Sequence, residues 1–183
     1  MKISNKYLVF AGAALMLVSC DLDKLPEGDV VTGDQKEEII NKRPNLITAE
    51  VNAMAAKLNQ FGTISTSSTY HSDYGVAAIA QIIDQSGQDM PVTTSGYNWF
   101  GRAQNYADRV YDSSDDELIW KTFYNHMKAA NSVLTLTEGS DDASLKIYRG
   151  QAFAARAYDY LNLAQFYQFT YAGHENALCV PIV

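Results

Sequence analysis

Apolar side chains recur along this chain at the spacing of α-helices. After Pro44 the apolar positions lie four, three, four and three residues apart, at Ile47, Val51, Met54, Leu58 and Phe61. Side chains three or four residues apart share one face of a helix, so this spacing predicts an amphipathic helix. A second helix is predicted from Asp73, as its N-cap, to Gly87, with an apolar face made by Val76, Ile79, Ala80 and Ile83.

Two longer helices are predicted in the C-terminal half. Ser114-Asp115-Asp116-Glu117 has the pattern of a capping box, in which a serine and a glutamate three residues later satisfy free amides at a helix start. We expect this helix to run from about 115 to about 135 and to bury six side chains: Trp120, Phe123, Tyr124, Met127, Ala130 and Leu134. A last helix begins near Ala143 and is apolar on more than one face, which indicates helices on several sides of it.

These patterns predict an all-α fold. Alanines alternate with tyrosines along the last helix, so that neighbouring helices approach closely while the rings fill the gaps, as in an α-solenoid built from helix pairs. No segment predicts a strand. The segment 90–112 has no clean period and contains Pro91, Gly96 and Gly101, which predicts a long irregular loop.

The first twenty residues have the pattern of an export signal. Lys2 and Lys6 precede an uncharged, mainly apolar run of 12 residues, 7–18. A transmembrane anchor is the alternative, but a spanning helix needs about 20 apolar residues and this run is too short. The ending Leu17-Val18-Ser19-Cys20 resembles the bacterial lipobox, which implies that residues 1–19 are removed and that Cys20 is diacylated. Two acyl chains are sufficient for a stable membrane anchor, and the protein is expected to contact the membrane through this lipid only.

A polar segment separates the lipid attachment site from the predicted helices. Residues 20–43 contain Pro26, Gly28 and Gly33, and we predict that they form a tether leading to a helical domain at 44–183. Asp21-Leu22-Asp23 loosely resembles the surface-export signals of Bacteroidetes lipoproteins. A solvated acidic tether explains these residues equally well, so both interpretations stay open.

Composition and charge indicate a globular protein and argue against nucleic-acid binding and cysteine-based sites. Hydrophobic residues make up 47% of the chain and aromatic residues 11%, which is typical of a globular protein. Lys and Arg number 14 against 21 Asp and Glu, and the net charge of −7 has the wrong sign for a protein that binds nucleic acid. The two cysteines form no CxxC pair, so neither a disulfide framework nor a zinc site is predicted.

No catalytic constellation is found. The chain has no phosphate-binding glycine loop, no dinucleotide fingerprint, no G-x-S-x-G and no S-x-x-K. His71 and Asp73 are interpreted as a loop residue and a helix cap, because a metal site needs three or four ligands. His126 is interpreted as a surface or hydrogen-bonded core histidine, and Cys179 as a small buried hydrophobe. We therefore predict a protein that is not an enzyme and needs neither cofactor nor metal.

The irregular loop holds the candidate binding site. It combines aromatic rings with amide and guanidinium groups, at Tyr97, Asn98, Trp99, Arg102 and Asn105. A pyranose stacks its C–H face on an aromatic ring, while planar polar side chains bind its hydroxyl groups. The alternative is that the loop folds back and buries its rings under the helices, because large aromatic side chains seldom stay exposed. Both interpretations stay open.

Several segments together resemble the SusD/RagB-type surface glycan-binding lipoproteins. The tether sequence 20–28 resembles the start of their mature chain, and Asp73-Tyr74-Gly75 with Gly87-Gln88-Asp89-Met90 is similar to their helix-and-loop signature. Trp120 and Tyr124 followed by Ala130-Asn131-Ser132-Val133-Leu134 resemble one of their helices, and 150–160 resembles another. The segment 171–183 is similar to the approach to their V-P-I-V sequence.

The resemblance implies tetratricopeptide-like helix pairs in the N-terminal part of a SusD-like fold. It also implies an outer-membrane location facing the cell exterior, and oligosaccharide capture for a SusC-like, TonB-dependent transporter. Family members continue well beyond the position of Val183, so the chain is expected to be an N-terminal fragment with an incomplete ligand site. The alternative function is that of a helical-repeat surface lipoprotein that binds only other proteins.

Overall fold

The structure is a computed structural model that describes residues 31–65, 70–88, 90, 96, 98–107 and 109–183. Within these residues six helices are found: α1 (Gly33–Lys42), α2 (Ile47–Ala56), α3 (Gly75–Ser86), α4 (Gly101–Gln104), α5 (Ser114–Leu136) and α6 (Ala143–Tyr167). Pro44–Leu46 and Lys57–Asn59 form 3₁₀ turns. Within the described ranges β pairing is limited to one isolated bridge, between Phe61 and Tyr74. The all-α prediction is confirmed, and the arrangement as a solenoid of helix pairs stays a prediction.

Helix α1 lies in the polar segment for which a tether is predicted. Its start is a capping box: the Gln35 N–H donates to the Thr32 hydroxyl, and the Thr32 N–H donates to the Gln35 side-chain oxygen. Near its end Ile40 is buried, together with Ile47, Leu136 and Leu145. The predicted signal peptide and Cys20 lie outside the described residues. None of the described helices is both long and apolar enough to cross a membrane.

Helices α5 and α6 form an antiparallel pair. The Arg149 guanidinium donates to the Leu134 carbonyl at 3.1 Å, near the end of α5 and the beginning of α6. At the opposite end of the pair, the Tyr167 hydroxyl donates to the Asp116 carbonyl at 2.9 Å. Helices α3 and α4 pack against this pair through one buried cluster: Ala78, Ile79, Ile82, Ala103, Leu118, Ile119, Phe123, Met127 and Leu163. Helix α2 contacts both α5 and α6 through buried Met54.

Local caps explain where α5 and α6 begin. The Ser113 hydroxyl accepts a hydrogen bond from the Asp116 N–H at 3.3 Å, so the N-cap of α5 is one residue earlier than the predicted Ser114. The Asp142 carboxylate accepts from the amides of Ser144 and Leu145 at 2.8 and 3.1 Å. Both helices otherwise run close to their predicted bounds.

The prediction that Asp73 caps the second helix is wrong. The N-cap of α3 is Tyr74, whose side chain makes no capping hydrogen bond, and the Asp73 carboxylate turns the other way. It is buried and accepts the backbone N–H groups of Thr63, Ile64 and Ser65 at 2.9 to 3.0 Å. These loop amides have no helix or sheet partner, so a buried carboxylate is needed to satisfy them.

The predicted apolar face of α3 is also partly wrong. Ala80 and Ile83 are exposed, while Ala78, Ile79 and Ile82 are buried. Helix α3 begins at Gly75, whose φ of +51° favours glycine and whose added Cβ would lie 2.2 Å from the Leu58 carbonyl oxygen. The close approach of the 3₁₀ turn at Lys57–Asn59 to Gly75 therefore determines which side of α3 faces the core.

Two further burial predictions are corrected. Trp120 is 37% exposed, because its ring lies at the edge of the helix pair against Tyr124 and Tyr167, at centroid distances of 4.6 and 5.2 Å. Cys179 is exposed rather than buried. It lies after the end of α6, in a segment whose last residues return to the helices: the Tyr124 hydroxyl donates to the Pro181 carbonyl at 2.8 Å, and the Val183 N–H donates to the Tyr160 hydroxyl at 2.7 Å.

Candidate functional site

The described part of the predicted aromatic loop places Trp99 against a neighbouring turn. Its ring centroid is 5.3 Å from that of Tyr70 and 5.8 Å from that of His71. Trp99 is half-buried. Its ring is therefore supported by the two other rings and still reaches the surface, so it matches neither the fully exposed loop nor the fully buried one. Tyr97 lies outside the described residues.

Buried Asp73 positions the turn that supports Trp99. The Asp73 N–H donates to the Tyr70 carbonyl at 3.0 Å and closes the turn, while the Asp73 carboxylate binds the amides at 63–65. Next to this turn the rings of Phe61 and Tyr74 stack with their centroids 4.0 Å apart. The turn that carries Tyr70 and His71 is thus fixed by the hydrogen bonds of buried Asp73.

The sequence does not mark Tyr70 and His71 as site residues. The only available signal is that both rings follow the polar segment 62–69. Their proximity to Trp99 depends on a long-range contact that no periodicity encodes.

The other candidate residues lie on or beside the short helix α4. Asn98 has a φ of +44°, and its carbonyl accepts the Gly101 N–H at 3.1 Å, which forms a tight turn around Trp99. The Asn98 side chain packs directly on Gly101, so a larger residue at 101 would displace the Asn98 amide. Asn98, Arg102 and Asn105 are all exposed. The structure brings Asn98 next to Trp99 in this turn.

A second feature, which the sequence did not reveal, is an open cavity of about 610 Å³ between α3, α4, α5 and α6. Its floor includes Ile82, Ala103 and Ile119, which are buried, and polar groups at its wall include Asp116. Because its residues come from several separate segments, no local pattern marks it. Asp115 and Asp116 also lie in the first turn of α5, where negative charge complements the helix dipole.

The hydroxyl group of Tyr167, which lines this cavity, is held in its neutral form. Burial raises its pKa above the usual 10, and the negative charge of Asp116 raises it further. The same hydroxyl donates a hydrogen bond to the Asp116 carbonyl oxygen. The polar side of the cavity thus has a negative local potential.

A buried ion pair lies elsewhere in the core. His126 Nδ1 of α5 is 2.8 Å from Asp159 Oδ1 of α6, and the side chains are 4% and 0% exposed. Burial raises the pKa of the Asp159 carboxyl, while the hydrogen bond and the charge of His126 lower it. This confirms His126 as a hydrogen-bonded core histidine. No substrate reaches such a pair, so its role is structural.

The part of the chain that the structure describes contains no set of metal ligands. No three His, Cys, Asp or Glu side chains there lie close enough together to hold an ion. The features available for function are therefore the Trp99 cluster, which we define as Tyr70, His71, Asn98 and Trp99, and the open cavity.

Comparison with known proteins gives one match. Residues 34–183 match the model of a SusD-like family described as starch-binding associating with the outer membrane. The match covers most of the chain and begins within α1, ten residues before the predicted domain start at 44. No curated protein and no solved structure matches the chain.

Proposed function

Because the chain belongs to this SusD-like family, we propose that it captures oligosaccharides at the cell surface for import through a SusC-like, TonB-dependent outer-membrane transporter. The family description supports starch or another glycan as ligand and association with the outer membrane. In this role the protein binds and hands on its ligand without chemical change. Its lipid anchor is Cys20, and the anchored protein faces the cell exterior.

The Trp99 cluster is the observation that carries the proposal. A sugar ring gains most from an aromatic face that is already fixed, because no side-chain entropy is then lost on binding. Trp99 meets this condition, since Tyr70 and His71 support its ring. The exposed Asn98 amide beside it offers both a donor and an acceptor to sugar hydroxyls.

Calorimetry with starch oligosaccharides and a panel of other glycans tests the proposal. Truncating a ring that carries a binding hot spot costs about 2 kcal/mol, so we expect Trp99→Ala to weaken affinity by about thirtyfold. Trp120→Ala is the matched control, because Trp120 is the other tryptophan and its ring contacts Tyr124 and Tyr167 instead. Equal affinity of Trp99→Ala and wild type would remove Trp99 from the site. The titrations use the full-length lipoprotein, and its failure to bind any glycan would contradict the proposed function.

A second candidate function is that of a protein-interaction subunit. Helix α6 exposes large apolar side chains along its outer surface, with Ile147, Phe153 and Leu161 between 51% and 63% exposed. Exposed apolar patches of this kind mark protein interfaces. The protein-interaction function would replace glycan capture under two results together. They are that no sugar binds, and that Leu161→Asp in the full-length lipoprotein abolishes its co-purification with the transporter.

A further inference from the structure

The open cavity between α3, α4, α5 and α6 has the size of a ligand-binding site. Its volume of about 610 Å³ lies within the range of about 300–1,000 Å³ for small-molecule pockets. It is distinct from the Trp99 cluster, since no residue of that cluster lines it. What it binds is therefore a separate question from the glycan proposal.

The cavity is apolar at its floor and at its mouth. On the floor, Ile82, Ala103 and Ile119 are at most 7% exposed. At the mouth, Ile83 and Val110 are 50% and 61% exposed, and an apolar ligand would remove both side chains from water. A saccharide would instead leave hydroxyl groups without hydrogen-bond partners over the aliphatic floor. The lining therefore favours a ligand with an apolar body.

Backbone hydrogen bonds fix the wall that carries Arg109 and Val110. The Tyr106 N–H donates to the Ala103 carbonyl at 3.1 Å, and the Ser113 N–H donates to the Val110 carbonyl at 3.1 Å. Tyr106 has a φ of +55°, which a bulky residue adopts only where its surroundings impose it. A wall that is fixed before binding loses little conformational entropy when a ligand enters.

The charged groups of the wall balance one another. Asp116 and Arg109 line the cavity with opposite charges, and the N-terminus of α5 adds a partial positive charge beside Asp116. Asp115 also lines the cavity and already has an interaction partner within the protein. The negative potential at Tyr167 is therefore local and does not extend over the whole wall. A charged ligand would lose its hydration without gaining an unpaired opposite charge.

A neutral polar side chain supplies the site with a hydrogen-bonding group. Gln165 lines the cavity and is exposed, and its amide offers both a donor and an acceptor. The half-buried ring of Phe166 lies next to it in the wall. An apolar ligand with one hydroxyl or amide group therefore finds a partner for that group at the edge of an apolar surface.

We infer that the cavity binds a neutral, mainly apolar small molecule that carries one hydroxyl or amide group. The apolar body lies on Ile82 and Ile119, and the polar group lies at Gln165. The ligand is a free small molecule rather than a side chain of a partner protein, because a single side chain fills only part of the volume. This binding activity goes beyond glycan capture and does not depend on it.

Three ligands with the same ring system and different charge test the inference on the full chain. They are 2-naphthalenemethanol, 2-naphthylmethylamine and 2-naphthoate, titrated near neutral pH by calorimetry and by amide chemical shifts. We expect the alcohol to bind at least about tenfold more tightly than either charged ligand, which corresponds to about 1.4 kcal/mol. The largest shift changes are expected at Ala103 and Ile119.

Variants place the ligand in the cavity. Val110→Asp puts a carboxylate at the mouth and is expected to weaken binding of the alcohol by about tenfold. Ile147→Asp is the matched control, because Ile147 is 63% exposed and does not line the cavity. If Val110→Asp does not fold, Ile83→Asp makes the same test from α3. Gln165→Leu is expected to remove the preference for the alcohol over 2-methylnaphthalene, because it removes the hydrogen-bonding amide.

Several results would overturn the inference. They are a charged ligand that binds as tightly as the alcohol, no binding of any of the three ligands, shift changes centred away from the cavity, and tighter binding of a blocked tryptophan peptide than of the alcohol. Wild-type affinity for the alcohol in Val110→Asp or Ile83→Asp, or an unchanged preference in Gln165→Leu, would do the same. Starch-oligosaccharide affinity measured on Val110→Asp separates this inference from the proposed function. We expect that affinity to be unchanged, so either idea can fail while the other stands.

Discussion

Removing His126 should lower the free energy of unfolding, because the buried Asp159 carboxylate then loses its hydrogen-bond partner. In wild type the imidazole and the carboxylate share a hydrogen bond in a site that excludes water, and Asp159 Oδ2 has no other hydrogen-bond partner among the described residues. His126→Leu keeps an apolar side chain of similar size and leaves Asp159 without its partner. Breaking a buried pair in this way costs about 3–5 kcal/mol. Whole domains are stable by about 5–15 kcal/mol, so the loss is a large share.

The clearest test of this prediction is how the free energy of unfolding of the variant depends on pH. Burial raises the folded-state pKa of Asp159, and the two effects that lower it both come from His126. The variant lacks both, so its folded-state pKa is higher than in wild type. A carboxyl group with a raised folded-state pKa costs no stability below its unfolded pKa of about 4, because it is protonated in both states. The free energy of unfolding then falls as pH rises from the unfolded pKa through the folded-state pKa. The variant should therefore approach wild-type stability near pH 4 and lose stability towards pH 7.

Urea unfolding followed by circular dichroism at about pH 4, 5.5 and 7 measures this effect. Each unit by which the folded-state pKa of Asp159 exceeds its unfolded value corresponds to about 1.4 kcal/mol at pH 7. The control is His126→Leu combined with Asp159→Asn, which removes the titrating carboxyl. The stability that His126→Leu loses towards pH 7 relative to this double variant therefore measures the buried Asp159 carboxylate. A His126→Leu variant that loses less than about 1 kcal/mol at pH 7, or loses the same at every pH, would refute the argument.

Two further predictions concern the anchor and the support of the site. Cys20→Ala should leave an uncleaved or soluble protein that takes up no labelled fatty acid, because Cys20 is the proposed acylation site; a variant still labelled and still in the outer membrane would contradict this. Asp73→Asn should destabilise the fold by about 2–4 kcal/mol in urea unfolding, since an amide group replaces one acceptor of the three loop N–H groups. The variant should also bind glycan more weakly, because Asp73 fixes the turn that carries Tyr70. Unchanged affinity would show that Asp73 does not support the binding site.

The two long helices were predictable because their signals are local. Residues 113–117 and Asp142 mark helix starts through contacts with amides two or three residues away. Helix α1 has the same kind of signal, Thr32 and Gln35, but its polar composition and nearby glycines favoured a tether. Its buried Ile40 is a tertiary contact that the local pattern does not reveal.

Positions on helix faces were less predictable than the helices themselves. The predicted face of α3 is rotated by about one residue, because Gly75 fits against Leu58 and sets the seating of the whole helix. Trp120 has the size and spacing of a core residue and still lies at the edge of the pair. Periodicity identifies a stripe of apolar positions, but the neighbouring elements decide which part of the stripe is covered.

Asp73 shows why the site itself was only partly predictable. Beside a helix start, an aspartate is expected to cap that helix, and the local energetics of capping are favourable. In the structure three loop amides have no other partner, and satisfying them is worth more than one cap because each buried N–H left alone costs about 1–3 kcal/mol. The same choice closes the turn that carries Tyr70 and His71 beneath Trp99. The residue types of the binding loop can thus be recognised from the sequence, whereas the ring support that makes Trp99 a fixed binding surface depends on a carboxylate eight to ten residues away from the amides it binds.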